Sequence, residues 1–145
     1  MSSNIEDLVK QVERLEDYEQ ASNALMEVVH REPATGERLA LHLLRSKAGD
    51  VHLRAFAFSM LYRANRATAF EYVRENSSTS EPAIFGAMLG EVAEDVGLLN
   101  ESAELRQMVA YLRSAISHRP DNDAEAMKLA VNDFRRVYGD SNLSM

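Results

Sequence analysis

Apolar residues recur along this chain at intervals of three and four positions, the spacing that places them on one face of an α-helix. Each run is bounded by residues that start or end helices, such as Asp17, Asp50, Pro82, Gly97 and Gly139. Patterns typical of half-buried strands are hard to find along the chain. The pattern therefore predicts helices near residues 4–15, 17–31, 36–48, 51–63, 66–76, 82–96, 101–116 and 123–138.

The boundaries of the third and fourth helices have specific sequence signals. Pro33 and Gly36 interrupt the second run, so we expect the third helix to begin at Gly36. Gly49 is suited to a left-handed cap that ends the third helix. The fourth helix then follows its predicted N-cap, Asp50, and is apolar on nearly every side. A helix of that kind belongs in the middle of a fold.

The eight predicted helices are joined by short links, which favours antiparallel packing of consecutive helices. This predicts an all-α fold that is either an irregular helical bundle or a short α-solenoid. The chain has 145 residues, a length that suits one compact domain. We expect a single helical domain over 1–139 and a flexible C-terminal tail over 140–145.

Composition supports a helical protein and excludes several kinds of chemistry. Glycine (six) and proline (three) are sparse, and cysteine is absent. The lack of cysteine excludes disulfides, thiolate metal sites, iron–sulfur clusters and a cysteine nucleophile. The first residues contain neither a basic segment nor an apolar segment of the kind found in signal peptides. We therefore expect a soluble, cytoplasmic protein without a membrane partner.

Charge is distributed unevenly along the chain. The net charge is −7, which makes direct binding to nucleic acid through phosphate contacts unfavourable. Residues 38–74 contain two acids and seven bases, whereas residues 75–104 contain seven acids and no base. In a stack of consecutive helices this segregation along the chain becomes segregation in space.

The acidic segment contains the candidate partner-binding residues. Glu91, Glu94 and Asp95 are spaced to share one face near the end of a helix, where mutual repulsion and the helix dipole each cost about 0.2–1 kcal/mol. Glu101 and Glu104 follow at the start of the next helix, where negative charge is favourable. These five acids form either a docking surface for a basic protein or an ordinary solvated face. If they are only solvated, the basic region around Arg54, Arg63 and Arg66 is the next candidate.

One part of the chain resembles a HEAT repeat. Residues 50–61 read DVHLRAFAFSML and residues 67–74 read ATAFEYVR, with an aspartate cap, a Leu53-Arg54 step and a switch to a second helix. A weaker echo occurs at Leu105-Arg106. The resemblance implies a HEAT-like α-solenoid. In size, charge and architecture the chain also resembles small acidic bacterial immunity proteins, which neutralise the toxins of contact-dependent growth inhibition and related polymorphic toxin systems.

No sequence motif for nucleophilic catalysis or nucleotide binding occurs in the chain. The Glu27-x-x-His30 spacing is used by di-iron bundles, but those need a second copy, which is absent. His42 and His52 would approach each other across the Gly49 turn without a third ligand. We therefore predict no catalytic residue, no metal and no cofactor.

Two glycines, Gly86 and Gly90, share one helix face. They predict a close approach of another helix within the fold or, alternatively, of a partner's backbone.

Three functional hypotheses remain at this level. The first is a non-catalytic protein-binding module, an immunity protein that inhibits a basic toxin domain by direct binding. The second is a helical adaptor or regulatory subunit of a larger assembly. The third is an enzyme with a site built from Glu27, His30 and scattered acids. The sequence does not indicate the oligomeric state.

Overall fold

The computed structural model describes residues 4–119 and 124–139, and these residues form an all-α protein. They contain no strand and one 3₁₀ helix, Val96–Leu98. The all-α fold class predicted from the periodicity is confirmed. The predicted tail at 140–145 lies outside the described residues. The α-helices are α1 (Ile5–Arg14), α2 (Tyr18–Arg31), α3 (Pro33–Ser46), α4 (Val51–Ala64), α5 (Arg66–Asn76), α6 (Pro82–Glu94), α7 (Ala103–His118) and α8 (Ala124–Tyr138).

Side-chain caps start several helices where the sequence predicts them. Asp17 accepts a hydrogen bond from the backbone N–H of Gln20 at 3.1 Å, and Asp50 accepts one from Leu53 at 2.8 Å. Each carboxylate satisfies an amide that has no partner within the first turn of its helix. The predicted starts of α2 and α4 are therefore confirmed.

Other predicted boundaries are wrong. The third helix begins at Pro33 rather than Gly36, because proline needs no amide partner in a first turn. The same helix ends at Ser46, and Lys47 adopts the left-handed conformation (φ 54°) that was expected of Gly49. Gly49 also has a positive φ of 67°, so the chain makes two left-handed steps before α4. The sixth helix ends at Glu94, and the 3₁₀ helix follows it.

The chain divides into two compact units, one of residues 1–69 and one of residues 70–145. The boundary falls within α5. In the first unit α1 packs on α2, α2 packs on α3 and α4, and α3 packs on α4. In the second unit α6 packs on α8 and on α7. The single domain expected over 1–139 stays a prediction, because two compact units can belong to one domain or to two.

Each unit has an apolar core. In the first unit α4 is buried on most sides, as its apolar composition predicts, with Phe58 and Leu61 fully inaccessible to solvent. In the second unit Phe85 of α6 and Phe134 of α8 are equally inaccessible. The Phe134 ring lies 5.1 Å from the Tyr138 ring on the same helix. Burial of large apolar side chains is the main stabilising contribution in both units.

Gly36 marks the closest approach of α3 to α2. A methyl group added there would lie 2.4 Å from Val29 Cγ2 and 2.8 Å from Val29 Cα, and the backbone cannot yield as a flexible side chain does. We expect Gly36→Ala to lower the free energy of unfolding by about 1–3 kcal/mol. At Gly90 a methyl group would meet nothing within 4 Å. Because alanine favours the helix more than glycine does, Gly90→Ala should raise the free energy of unfolding by up to about 1 kcal/mol. Urea unfolding measures both values, and equal effects would contradict this account.

Candidate functional site

The five predicted partner-binding acids lie on both sides of the turn between α6 and α7. Glu91 and Glu94 belong to the last turn of α6, and Asp95 follows as its C-cap. Glu101 precedes α7, and Glu104 is in the first turn of that helix. The structure therefore places all five acids at the α6–α7 connection.

Burial divides these acids into two groups. Glu94, Glu101 and Glu104 are exposed, and we call these three residues the acidic surface. Glu91 and Asp95 are half-buried, and each takes part in polar interactions within the chain. The latter two carboxylates therefore have a structural role that their spacing in the sequence does not show.

Asp95 lies close to Tyr138 of α8. Burial, with a smaller contribution from the negative charge of Asp95, raises the pKa of the Tyr138 hydroxyl to about 12. The hydroxyl donates a hydrogen bond to the carbonyl of Val92, in the last turn of α6. This part of α6 is therefore held against α8, and half-buried Asp95 lies close enough to act electrostatically on the Tyr138 hydroxyl.

The turn between α6 and α7 is held by consecutive hydrogen bonds. The amide of Leu98 donates to the Asp95 carbonyl at 2.8 Å, and the amides of Glu101 and Ser102 donate to the Leu98 carbonyl at 3.0 Å. The Ser102 hydroxyl then caps α7 by accepting from the Leu105 amide at 3.1 Å. These bonds fix the backbone between the exposed carboxylates.

Arg106, in the first turn of α7, stabilises the same turn through its side chain. Its guanidinium donates to the carbonyls of Leu99 at 2.8 Å and Asn100 at 3.1 Å. A positively charged donor makes a stronger hydrogen bond than a neutral one. The three residues of the acidic surface therefore lie on and beside a turn whose backbone is extensively hydrogen-bonded.

The first unit contains the same arrangement at the start of α4. Arg54 donates to the carbonyls of Lys47, Ala48 and Gly49 at 3.2, 3.4 and 2.7 Å. In both helices a capping residue is followed three positions later by leucine and four positions later by arginine. The arginine then reaches back to carbonyls before the cap. Sequence reasoning noted the two Leu-Arg steps but missed this role of the arginines.

The basic region around Arg54, Arg63 and Arg66 is therefore partly internal. Arg54 is 9% exposed and bonded as described. The guanidinium of Arg66 lies 5.7 Å from the centre of the Tyr62 ring, a cation–π geometry. Arg63 is exposed. Of the three arginines, only Arg63 presents its charge mainly to solvent.

Besides a smaller groove, the first unit contains a larger groove that Arg63 lines. This groove has a volume of about 730 Å³ and lies between α2 and α4. Sequence reasoning missed it, because its two walls come from helices that are separated along the chain. The smaller groove, of about 330 Å³, is lined by residues of α1 and α3, including Glu13 and His42. The residues that line the larger groove are Asn23, Met26, Glu27, Val29, His30, Met60 and Arg63.

The Glu27-x-x-His30 pair lies on the wall of the larger groove, with both side chains exposed. A carboxylate oxygen of Glu27 lies 2.5 Å from the Arg31 guanidinium, so its charge is already compensated. Within residues 4–119 and 124–139, no three His, Asp or Glu side chains are grouped so that they can hold a metal ion. The absence of a metal or cofactor in the working protein stays a prediction.

The two glycines that share a face of α6 have different surroundings. A methyl group at Gly86 would lie 3.5 Å from Ala130 Cβ of α8, an ordinary packing distance. Gly86 therefore lies where α6 approaches α8, as the packing interpretation predicts. Gly90 faces open space, so no helix approach within the described structure accounts for it.

Comparison with known proteins finds no match: no family model, no curated protein and no solved structure matches the chain. Among the residues that the structure describes, no helix combines the length and the apolar character that a membrane span requires.

Proposed function

We propose that this protein is a non-catalytic protein-binding module, and specifically an immunity protein that neutralises a cognate bacterial toxin domain by direct binding. One observation carries the proposal. Glu94, Glu101 and Glu104 are exposed around one fixed turn, within a stretch of thirty residues (75–104) that has no lysine or arginine. A concentration of negative charge on a segment that has no base of its own suits a basic partner.

The physical basis of binding is complementary charge. Toxins that cut nucleic acids need basic surfaces to hold phosphates. A rigid acidic surface attracts such a domain, speeds its association and disfavours acidic partners. Once bound, the immunity protein covers the basic surface and denies nucleic acid access to it.

The test is a charge reversal that is matched for net charge. Glu94→Lys, Glu101→Lys and Glu104→Lys are combined in one variant. The control combines Glu6→Lys, Glu16→Lys and Glu19→Lys, three exposed acids of the first unit. Wild-type protein is used to capture its partner from the native cell. Titration calorimetry at several salt concentrations then compares the three forms against that partner.

We expect the acidic-surface variant to bind at least about tenfold more weakly, because breaking desolvated charge pairs costs about 2–5 kcal/mol. The control variant should keep its affinity, and all three forms should keep their helical circular dichroism. The captured protein should arrest growth when produced alone and lose that effect when this chain is co-produced.

Two other outcomes would contradict the proposal. Equal affinity and an equal salt dependence in all three forms would show that the acidic surface is only solvated. A captured protein that is a subunit of a multiprotein complex and has no toxicity would replace the immunity function with that of an adaptor.

A further inference from the structure

The groove between α2 and α4 has the dimensions and lining of a ligand site, and it lies in the unit that does not contain the acidic surface. Its volume of about 730 Å³ is within the range of small-molecule pockets, roughly 300–1,000 Å³. On α2, Asn23, Met26, Glu27 and His30 are spaced to share one helix face. Met60 and Arg63 share a face of α4 in the same way.

The base of the groove is apolar. Met60 is 2% exposed, and Val29 is also buried, so both form the floor. Met26 is 43% exposed at the edge of the groove. Methionine side chains are flexible and polarizable, and they adapt to apolar ligands of varied shape. These three residues favour an occupant with an apolar body that covers Met26.

The charge of the lining selects between the possible occupants. The carboxylate of Glu27 is compensated by Arg31, at 2.5 Å. The Arg63 guanidinium makes no hydrogen bond or ion pair with any residue that the structure describes, and the side chain is exposed beside the apolar floor. A guanidinium presents paired donors that match a carboxylate. The charged groups at the groove therefore leave one positive charge without a partner.

Arg63 also lies in the last turn of α4, and His30 lies in the last turn of α2. Positive charge at these positions is favourable with the helix dipole, and that alone would account for both residues. One carbonyl in the last turn of each helix accepts a backbone hydrogen bond. The Glu32 amide donates to Val28 at 2.7 Å, and the Asn65 amide donates to Leu61 at 2.8 Å.

We infer that this groove binds a small anionic amphiphile, with its apolar chain over Met26, Val29 and Met60 and its carboxylate on Arg63. Medium-chain carboxylates are the simplest members of this class. The inference goes beyond the proposed function, since it concerns another surface and another kind of ligand.

Three probes with the same chain length separate the contributions of charge and burial: octanoate, 1-octanol and octylamine. The readout is the NMR signal of ¹³C-labelled methionine methyl groups. Met26 and Met60 report on the groove, whereas Met88 and Met108, buried in the second unit, serve as internal references. The variant is Arg63→Gln. Its control is Arg45→Gln, an exposed arginine in the last turn of α3 that does not line the groove.

We expect octanoate to shift the Met26 and Met60 signals saturably, with a dissociation constant on the order of 1 mM or tighter. Arg63→Gln should weaken octanoate binding about tenfold, and Arg45→Gln should leave it unchanged. Octanol should bind to wild type about tenfold more weakly than octanoate does. Neither Arg63→Gln nor Arg45→Gln should change the affinity for octanol. Octylamine should bind more weakly still.

The inference is overturned if octanoate gives no saturable shift, or if it shifts the reference methionines equally. Equal binding of octanoate to wild type and Arg63→Gln would assign Arg63 to the helix dipole alone. Stronger binding of octylamine than of octanoate would show that the groove prefers cationic ligands, and this result would also overturn the inference.

Discussion

Replacing Phe58 with alanine should lower the free energy of unfolding by about 3–5 kcal/mol, the usual loss for a large aromatic side chain in a packed core. Phe58 is 0% exposed, and its ring lies 6.3 Å from that of Tyr62. Small proteins have a total stability of about 5–15 kcal/mol, so the loss would be a large fraction of the whole. Urea unfolding followed by circular dichroism measures it.

Phe56 is the matched control, because it is the same residue type two positions away on the same helix. It is only half-buried, so Phe56→Ala should cost about 1–2 kcal/mol. Equal losses at the two positions would mean that α4 does not bury its faces as described. An all-round apolar helix has no period that selects which of the two phenylalanines belongs to the core.

Helix boundaries were predictable where their signals are local. The caps Asp17 and Asp50 act on an amide three residues away, so neighbouring residues suffice to identify them. Pro33 was misinterpreted because proline both ends helices and begins them. Gly36 then lies inside α3, where it packs against Val29 of α2. A contact between two helices is not visible in a local pattern.

At the candidate site, too, contacts between distant parts of the chain were not predictable from local sequence patterns. Glu91, Glu94 and Asp95 have the spacing of one shared face, and the sequence offers no reason to separate them. The structure separates them by burial: Glu94 is exposed, whereas Glu91 and Asp95 are half-buried, and Asp95 lies near Tyr138, 43 positions further along the chain. The larger groove was missed for a similar reason, since Met26 and Met60 come together only when α2 packs on α4.

Arg54→Met should lower the free energy of unfolding by about 2–4 kcal/mol. The guanidinium of Arg54 is 9% exposed and donates to three carbonyls in the turn after α3. Hydrogen bonds from charged donors contribute about 1.5–3 kcal/mol, and part-buried acceptors that lose their donor add a smaller desolvation cost. Methionine keeps much of the apolar volume, so the loss reports on hydrogen bonding rather than on a cavity.

The equivalent substitution in α7, Arg106→Met, is the control for this prediction. Arg106 is half-buried and serves two carbonyls, which water can reach more easily, so its loss should be about 1 kcal/mol. Hydrogen exchange gives a local readout in the Arg54 variant. The amides of Lys47 and Ala48, which donate to the carbonyls of Leu44 and Leu43, should lose protection before those in the centre of α3. Suppose instead that Arg54→Met lowers the free energy of unfolding no more than Arg106→Met does, and that these amides stay protected. The backbone hydrogen bonds would then be sufficient to stabilise the turn, and Arg54 would contribute only packing.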